Sequence, residues 1–441
     1  MKPQPKIHLN SPILPALLAV FFIMQIIDPS DIWVALLVGL GTALLISFLW
    51  ISSLAQNLRL VRQMRFGWTQ VGDRFEERFT LENSGWATCL WVEIEDQSNL
   101  PGYNANLVTG VDGRSHSEWR TDAVCSHRGL FTIGPTSLTT GDPFGIFTLK
   151  IYDPASRLVM VVPPIVPLPA IEVAPGGRSG SGRPRQNAPE RTVSASTVRQ
   201  YVPGDNLHAI HWKTTARRDY PFVRIFDGTP TGDWRIILDL DQAVQAGKEW
   251  DSTEEHGVVL AASLADRGLR LRRSVGLAVN GNETIWLPPQ SGDNQRWDIL
   301  RALAVVHPGS RSLGEFLRLV EPDIRPNTSL VLITPSLDES WFKALLPLLW
   351  RGIVPTVLLL DAASFEELAE VAPSTEPEAQ RRGLPSQLSN FGVNYYLITR
   401  ELLDKAEARP GRAGRWEWRV TPRGRAVPIN QPADLDWRSL S

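Results

Sequence analysis

Apolar positions crowd the amino-terminal end of the chain. IWVALLVGLGTALLISFLWI, Ile32 to Ile51, is twenty residues without a charge. At about 1.5 Å per residue such a run spans a bilayer core of roughly 30 Å. The earlier run ILPALLAVFFIMQII, Ile13 to Ile27, is shorter and holds Pro15 and Gln25; extended back to Leu9 it makes a marginal span. No small-x-small cleavage site precedes the acidic DPSD between the runs, so a hairpin of two transmembrane helices (about 9–27 and 32–51, within residues 1–55) fits better than a cleaved signal peptide. Lys2 and Lys6 precede the hairpin, Arg59, Arg62 and Arg65 follow it, and the connection Asp28 to Asp31 carries only acids. Basic residues mark the cytoplasmic side, so both ends are expected there and everything after about residue 55 forms a large cytoplasmic portion.

From 60 to 165 the apolar period shortens to two. RFEERFTLEN puts Phe75, Glu77, Phe79 and Leu81 on one face, the signature of a half-buried strand. TCLWVEIED places Cys89, Trp91 and Glu93 on one side and Leu90, Val92 and Ile94 on the other. Turn signals at Asn83-Ser84-Gly85, Pro101-Gly102, Asp112-Gly113, Gly134-Pro135 and Gly141-Asp142-Pro143 separate the runs. The expectation is an all-β sandwich of immunoglobulin-like architecture over 60–165. Residues 166–192 then read as a flexible loop rich in Gly, Pro and Arg, whose arginines are solvated or graze lipid headgroups.

The domain 193–400 reads differently from about 233. WRIILDL, SVGLAVN, SLVLIT, TVLLLD and NYYLIT are apolar strands, interleaved with helices over TEEHGVVLAASLADRGLRL, around Trp297 to Val306, and from Glu339 to Trp350. Strands buried on both faces and alternating with helices predict a doubly wound parallel sheet. Residues 401–441 are expected to form a last helix and a basic tail.

Composition narrows the chemistry. Of 441 residues 45 are Lys or Arg and 47 Asp or Glu, so a net charge of -2 gives no global pull toward nucleic acid. Two cysteines exclude a disulfide framework and a Cys-rich zinc site. Sixteen scattered tryptophans read as core residues and membrane-edge anchors. GxxxxGK[ST] and a helix-opening GxGxxG are absent, which argues against a nucleotide enzyme. Cys125 and His127, two apart on an expected strand, read as a core thiol and a surface imidazole, and His256 as a helix-face residue.

Two motifs remain. RGLFTIGPTSLTTGDPFGIF (Arg128 to Phe147) and RQYVPGDNLHAIHWKTTAR (Arg199 to Arg217) resemble, in order and behind two apolar spans, the paired signatures of the DUF58 family. That resemblance implies a bacterial inner-membrane, multi-pass protein with a von Willebrand factor A (vWA) like domain. It also implies partners: the bilayer, a MoxR-type AAA+ ATPase, and other membrane proteins of the same gene cluster. The role it implies is a non-enzymatic adaptor or assembly platform. The family's usual Arg is His208 in this chain, so a bidentate contact from that position is not carried over.

Read from its residues, the second motif turns at Pro203-Gly204, and Asp205 is placed to cap a helix. Leu207, Ile210, His211 and Thr214 then follow helical spacing, with Lys213, Arg217 and Arg218 at the helix end, and FVRIF is a strand joining the sheet. The favoured reading is structural: Asp205 pairs with Arg217 or Arg199 and Trp212 is buried beneath. The other is a docking surface built on Tyr201, His208, Trp212, Lys213 and Arg217. No nucleophile stands here with an orienting base, so catalysis is not expected, nor is nucleic-acid binding.

At the carboxyl ends of the strands, where ligands bind such sheets, stand Asp239, Asp241, Thr334 to Ser336, Asp361 and Thr399. Metal-binding vWA domains use Asp-x-Ser-x-Ser; this chain has DLDQA, lacking both serines, so no cofactor is expected. Two carboxylates and Thr334 leave Mg²⁺, and with it a metal-dependent ligand-binding or hydrolytic domain, as the alternative.

Overall fold

The computed structural model describes residues 4–65, 67–168, 171–174, 195–201, 210–218, 220–226, 233–326, 328–366, 378–402, 417–420, 426–430 and 438–439. They belong to two compact units: Met1–Pro167 with Leu300–Val305 and Ala406–Ser441, and Leu168–Ile299 with Val306–Lys405.

The first unit is built on mainly antiparallel sheets. Strand β1 (Gln4–Leu9) precedes helices α1 (Ile13–Ile27) and α2 (Asp31–Asn57), which pack together as a hairpin. β1 is the edge of a five-stranded sheet, paired with Phe147–Asp153 and followed by Thr136–Gly141, Cys89–Asp96 and Leu107–Val111. β2 (Leu58–Met64) starts where α2 ends and lies in a second sheet with Arg74–Asn83 and Ser115–Val124. Leu58 and Leu81 of that sheet share one core with Cys89, Val92, Ile94, Leu138 and Leu149 of the other.

The hairpin differs from the expected pair of spans. Residues before Pro12 form a strand, because Pro12 suits a helix start and the polar QPKIHL finds a sheet edge to pair with. α1 is therefore fifteen residues, about 22 Å long, and among the described residues only α2 is long and apolar enough to cross a membrane. Ser30 caps α2 by accepting a hydrogen bond from the Ile32 amide. The helix runs six residues past Ile51, and its last turns bury Ser47, Ile51, Ser53 and Leu54, with Ile51 and Leu54 in the β core.

Arg62 is not a free basic residue beside the membrane. It is 4% exposed, forms ion pairs with Glu77 and Asp96, and donates to Thr136 as well. The alternation of Arg74–Asn83 is as expected, Phe75, Glu77, Phe79 and Leu81 all pointing inward. In Cys89–Asp96 a register shift between Cys89 and Val92 breaks the period: Cys89 is buried with Val92 and Ile94, and Leu90 faces outward. A bulge of one residue switches every side chain before it to the other face.

The second unit holds a six-stranded sheet in the order Thr284–Gln290, Val275–Asn280, Trp234–Asp239, Ser329–Thr334, Thr356–Leu360, Asn394–Ile398, parallel except for the first strand. Ile237, Leu332 and Leu359 pack on one face with Phe316 and Leu317 of helix Leu313–Val320 and Trp341 and Leu345 of Ser340–Trp350. Gly257 of helix Thr253–Arg270 lies close to Leu238, Ile333 and Leu360 on the opposite face. His256 of that helix is fully buried, between the Ser252 and Arg400 carbonyls and edge-on to Phe365, so it is a core residue.

Of the segment expected as a loop, 169–170 and 175–192 lie outside the described residues; residues 171–174 are bonded to the second unit's sheet and helix. The Ile171 carbonyl accepts from Arg267, and the amides of Glu172 and Ala174 donate to Tyr396 and Thr356. After the turn Arg400–Leu402, residues 403–416, where a last helix is expected, lie outside the described residues; the described residues beyond them are strands. Glu417–Val420 pairs with Ala426–Asn430, and Arg438–Ser439 pairs with β2.

Candidate functional site

The strand order reverses at Trp234–Asp239, the position at which such sheets bind ligands beyond the strand ends. Asp239 ends that strand, 1% exposed. One carboxylate oxygen accepts from Asn280 Nδ2 (3.1 Å) and the Asp241 amide (3.2 Å); the other accepts from Thr334 Oγ1 (2.7 Å). Burial raises its pKa to about 6, against the lowering effect of the hydrogen bonds from Thr334 and Asn280. Asp241 caps the following turn, its Oδ1 accepting from the Ala243 amide at 3.0 Å. Thr334 Oγ1 also accepts from the Ser336 amide.

These bonds turn the donor set inward. Both Asp239 oxygens accept hydrogen bonds, from Asn280 and Thr334 at the neighbouring strand ends and from the Asp241 amide. Among the described residues no group of three His, Cys, Asp or Glu side chains could hold a metal ion. The arrangement is that of a buried carboxyl clasping three strand ends. Sequence reasoning named Asp239, Asp241 and Thr334 but missed Asn280, although it too ends an apolar strand beside Asp239.

The second motif is partly outside the described residues: Gly204, Asp205 and His208 lie there, so the expected cap and charge pair do too. Arg199 is described in its backbone, within strand Ala195–Gln200, which pairs with Phe222–Phe226. Those two strands form a sheet of their own rather than joining the six-stranded one. The helix is a single turn, Trp212–Thr215, capped by His211 Nδ1 accepting from the Thr214 amide. Ile210, expected on the helix, instead bridges to Val223. The turn is fastened by backbone bonds from His211 to the Phe222 carbonyl (2.7 Å) and from Tyr201 to that of Pro221 (2.9 Å). Thr215 Oγ1 accepts from the Phe222 amide.

On this fastened turn the large side chains face outward. Trp212 is 69% exposed and Tyr220 63%, correcting the expectation that Trp212 is buried. A four-residue helix held by its backbone has one inward face, and Thr214 and Thr215 occupy it. Lys213, Arg217 and Arg218 are exposed beside the tryptophan, and the Arg218 guanidinium lies 5.8 Å from the Phe222 ring centre. Tyr201 is half-buried. Cys125 is buried and His127 exposed, bonded to Ser126.

The family model described as "Protein of unknown function DUF58" matches residues 197–371. An uncharacterised protein, YeaD, of Bacillus subtilis (strain 168) is 32% identical over 168 residues, which is 37% of this chain and 39% of that protein. The chain thus matches about two fifths of that relative's length. Among solved structures, an aerotolerance-related membrane protein from Bacteroides fragilis is 17% identical over 40% of this chain and 98% of its own, with a TM-score of 0.28. Proximal thread matrix protein 1 from the mussel byssus is 13% identical, covering 29% and 38%, with a TM-score of 0.24. Likeness at that level carries no argument.

Proposed function

This chain carries a DUF58 segment over residues 197–371, and we propose that it is a membrane-held docking platform for a MoxR-type AAA+ ATPase, with no catalysis of its own. The observation that carries the reading is the outward set Trp212, Lys213, Arg217, Arg218 and Tyr220 on a turn fastened through its backbone. Aromatic and arginine side chains dominate protein–protein hot spots, and three cations together suit an acidic face on the partner. The scaffold and the surface are separate parts of one motif: the backbone bonds build the turn, and the side chains are left for a partner.

The hairpin supplies the anchor. β1 lies before α1 and pairs with a strand that follows α2, so both ends of the hairpin leave the bilayer on one side. With the basic Lys6, Arg59 and Arg65 on that side and no basic residue at the tip, that side is read as the cytoplasm. The β unit is read as immunoglobulin-like and the parallel-sheet unit as vWA-like, with Asp239 serving as an internal clasp in place of a metal ligand.

Affinity capture from detergent-solubilised membranes tests this. Full-length chain should retain the ATPase, and Trp212→Ala or Lys213→Glu should weaken capture at unchanged melting temperature. Unaltered capture by both variants defeats the reading. A rise in melting temperature on adding Mg²⁺ would instead favour the metal-dependent alternative.

A further inference from the structure

The first helix of the hairpin is too short for the membrane the hairpin enters, and the shortfall falls at a specific place. α1 is about 22 Å long. α2 stays exposed on one face through Leu49, nineteen residues or about 28 Å, and nearly spans the core. A hydrocarbon core of roughly 30 Å clearly exceeds α1. The tip, with Asp28 and Asp31, cannot be drawn into the core, so the missing length must come from the base of the hairpin.

The base is apolar and aromatic. The loop Asp142 to Phe147 is stapled to the foot of α1: the Asn10 amide donates to the Ile146 carbonyl (2.9 Å), and Asn10 Nδ2 donates to that of Gly145 (2.8 Å). Asp142 folds the loop, its two oxygens accepting from the amides of Phe144 and Phe147. Gly145, at φ 69°, turns it, and Phe144 is left 61% exposed at its crest. On the other side Trp86 is 57% exposed, edge-on to Trp50 of α2 at 5.5 Å, while Trp50 Nε1 donates to the Thr88 carbonyl. Phe48 of α2 meets Phe147 at 6.0 Å. Phe144 and Trp86 thus flank the level at which the helices enter the β unit. Arg114, exposed and bonded through its amide to the Gly85 carbonyl, sets a cation beside Trp86.

The geometry points to a lipid-binding rim. Phe144 and Trp86 sink into the interface of the leaflet on the β unit's side, extending the short hairpin, with Arg114 at the phosphates. The DPFG loop is then a membrane wedge, formed by Asp142 and positioned by Asn10. The occupant is the bilayer because the rim continues the bare apolar surface of the helices, where Leu17, Phe22, Val34, Leu45 and Leu49 are all exposed. This inference rests on the hairpin being inserted.

The test uses full-length chain in phosphatidylcholine–phosphatidylglycerol vesicles, with one added cysteine carrying a fluorophore and quencher groups on the lipids at shallow or deep positions. Native Cys89 and Cys125 are buried and their thiol pKa values raised by that burial, Cys125 to about 11, so labelling favours the added site. Labels at Phe144→Cys and Trp86→Cys should be quenched by shallow groups, and one at Leu36→Cys by deep ones. A label at Val124→Cys, on the opposite end of strand Ser115–Val124, should be quenched by neither. Quenching at Leu36 with Phe144 behaving like Val124 overturns the rim and leaves the membrane anchor standing. No quenching at Leu36 overturns both. If Trp86→Cys fails to fold, the Phe144 label decides alone.

Discussion

Asp239 is the residue at which chemistry and stability separate most clearly. Its folded-state pKa is about 6 against an ordinary 3.8, so the folded protein holds the proton more tightly than the unfolded chain. Above about pH 6 both states are ionised and the fold bears the cost of a buried charge. As pH falls from about 6 toward 4 the folded state takes up its proton first, and stability rises. At about 1.4 kcal/mol per unit, the shift is on the order of 3 kcal/mol. Asp239→Asn keeps the shape without the charge. It should melt higher than the native chain at pH 8, and its melting temperature should lose the dependence between pH 4 and 6. A variant that instead unfolds at every pH would mean the ionised form holds the three strand ends together. At the other motif Trp212→Ala should leave the melting temperature unchanged, because a side chain 69% exposed contributes little burial.

At the scale of elements, α2 is one helix in two solvents. Leu45 and Phe48 face outward, whereas Ile51 and Leu54 are fully buried in the β core. Ile51→Ala or Leu54→Ala should each lower the stability of the β unit by about 2–5 kcal/mol, read as a shifted urea midpoint in detergent. Leu45→Ala should leave that midpoint in place. β2 and its partner strand carry a second test. Arg62 bridges Glu77 and Asp96 inside the β unit, Tyr103 donates to Glu77, and the Tyr103 phenol is pushed far above its ordinary pKa by burial and by the Glu77 carboxylate. Arg62→Met strands two buried carboxylates and should cost about 3–5 kcal/mol. Little of this was legible along the chain, because Arg62 reads there as one of three membrane-proximal cations.

At the scale of the whole molecule, the membrane segment is not a detachable anchor. A chain beginning at residue 58 lacks β1, which leaves one side of Phe147–Asp153 as an unpaired edge, and lacks the Ile51–Leu54 wedge in the core. Expressed that way, the β unit should aggregate or unfold, as followed by size-exclusion chromatography and circular dichroism. Reporters fused at either end of the full chain should be active on the same side of the membrane. Opposite sides would be incompatible with the pairing of β1 to a strand beyond α2.

The sequence alone determined the order of the parts. A twenty-residue uncharged run, then a period of two, then apolar strands alternating with helices, each records how a stretch buries its own side chains. Those signals are local, so α2, the strand Arg74–Asn83 and the parallel sheet were all legible. Tertiary structure decided whatever depends on a distant partner. QPKIHL became a strand because Phe147–Asp153 offers it an edge. Cys89 changed faces through a one-residue bulge, and Arg62 was drawn inside by carboxylates 15 and 34 positions away. Trp212 stayed in solvent because the turn that carries it is fastened by backbone bonds, which no side-chain pattern records.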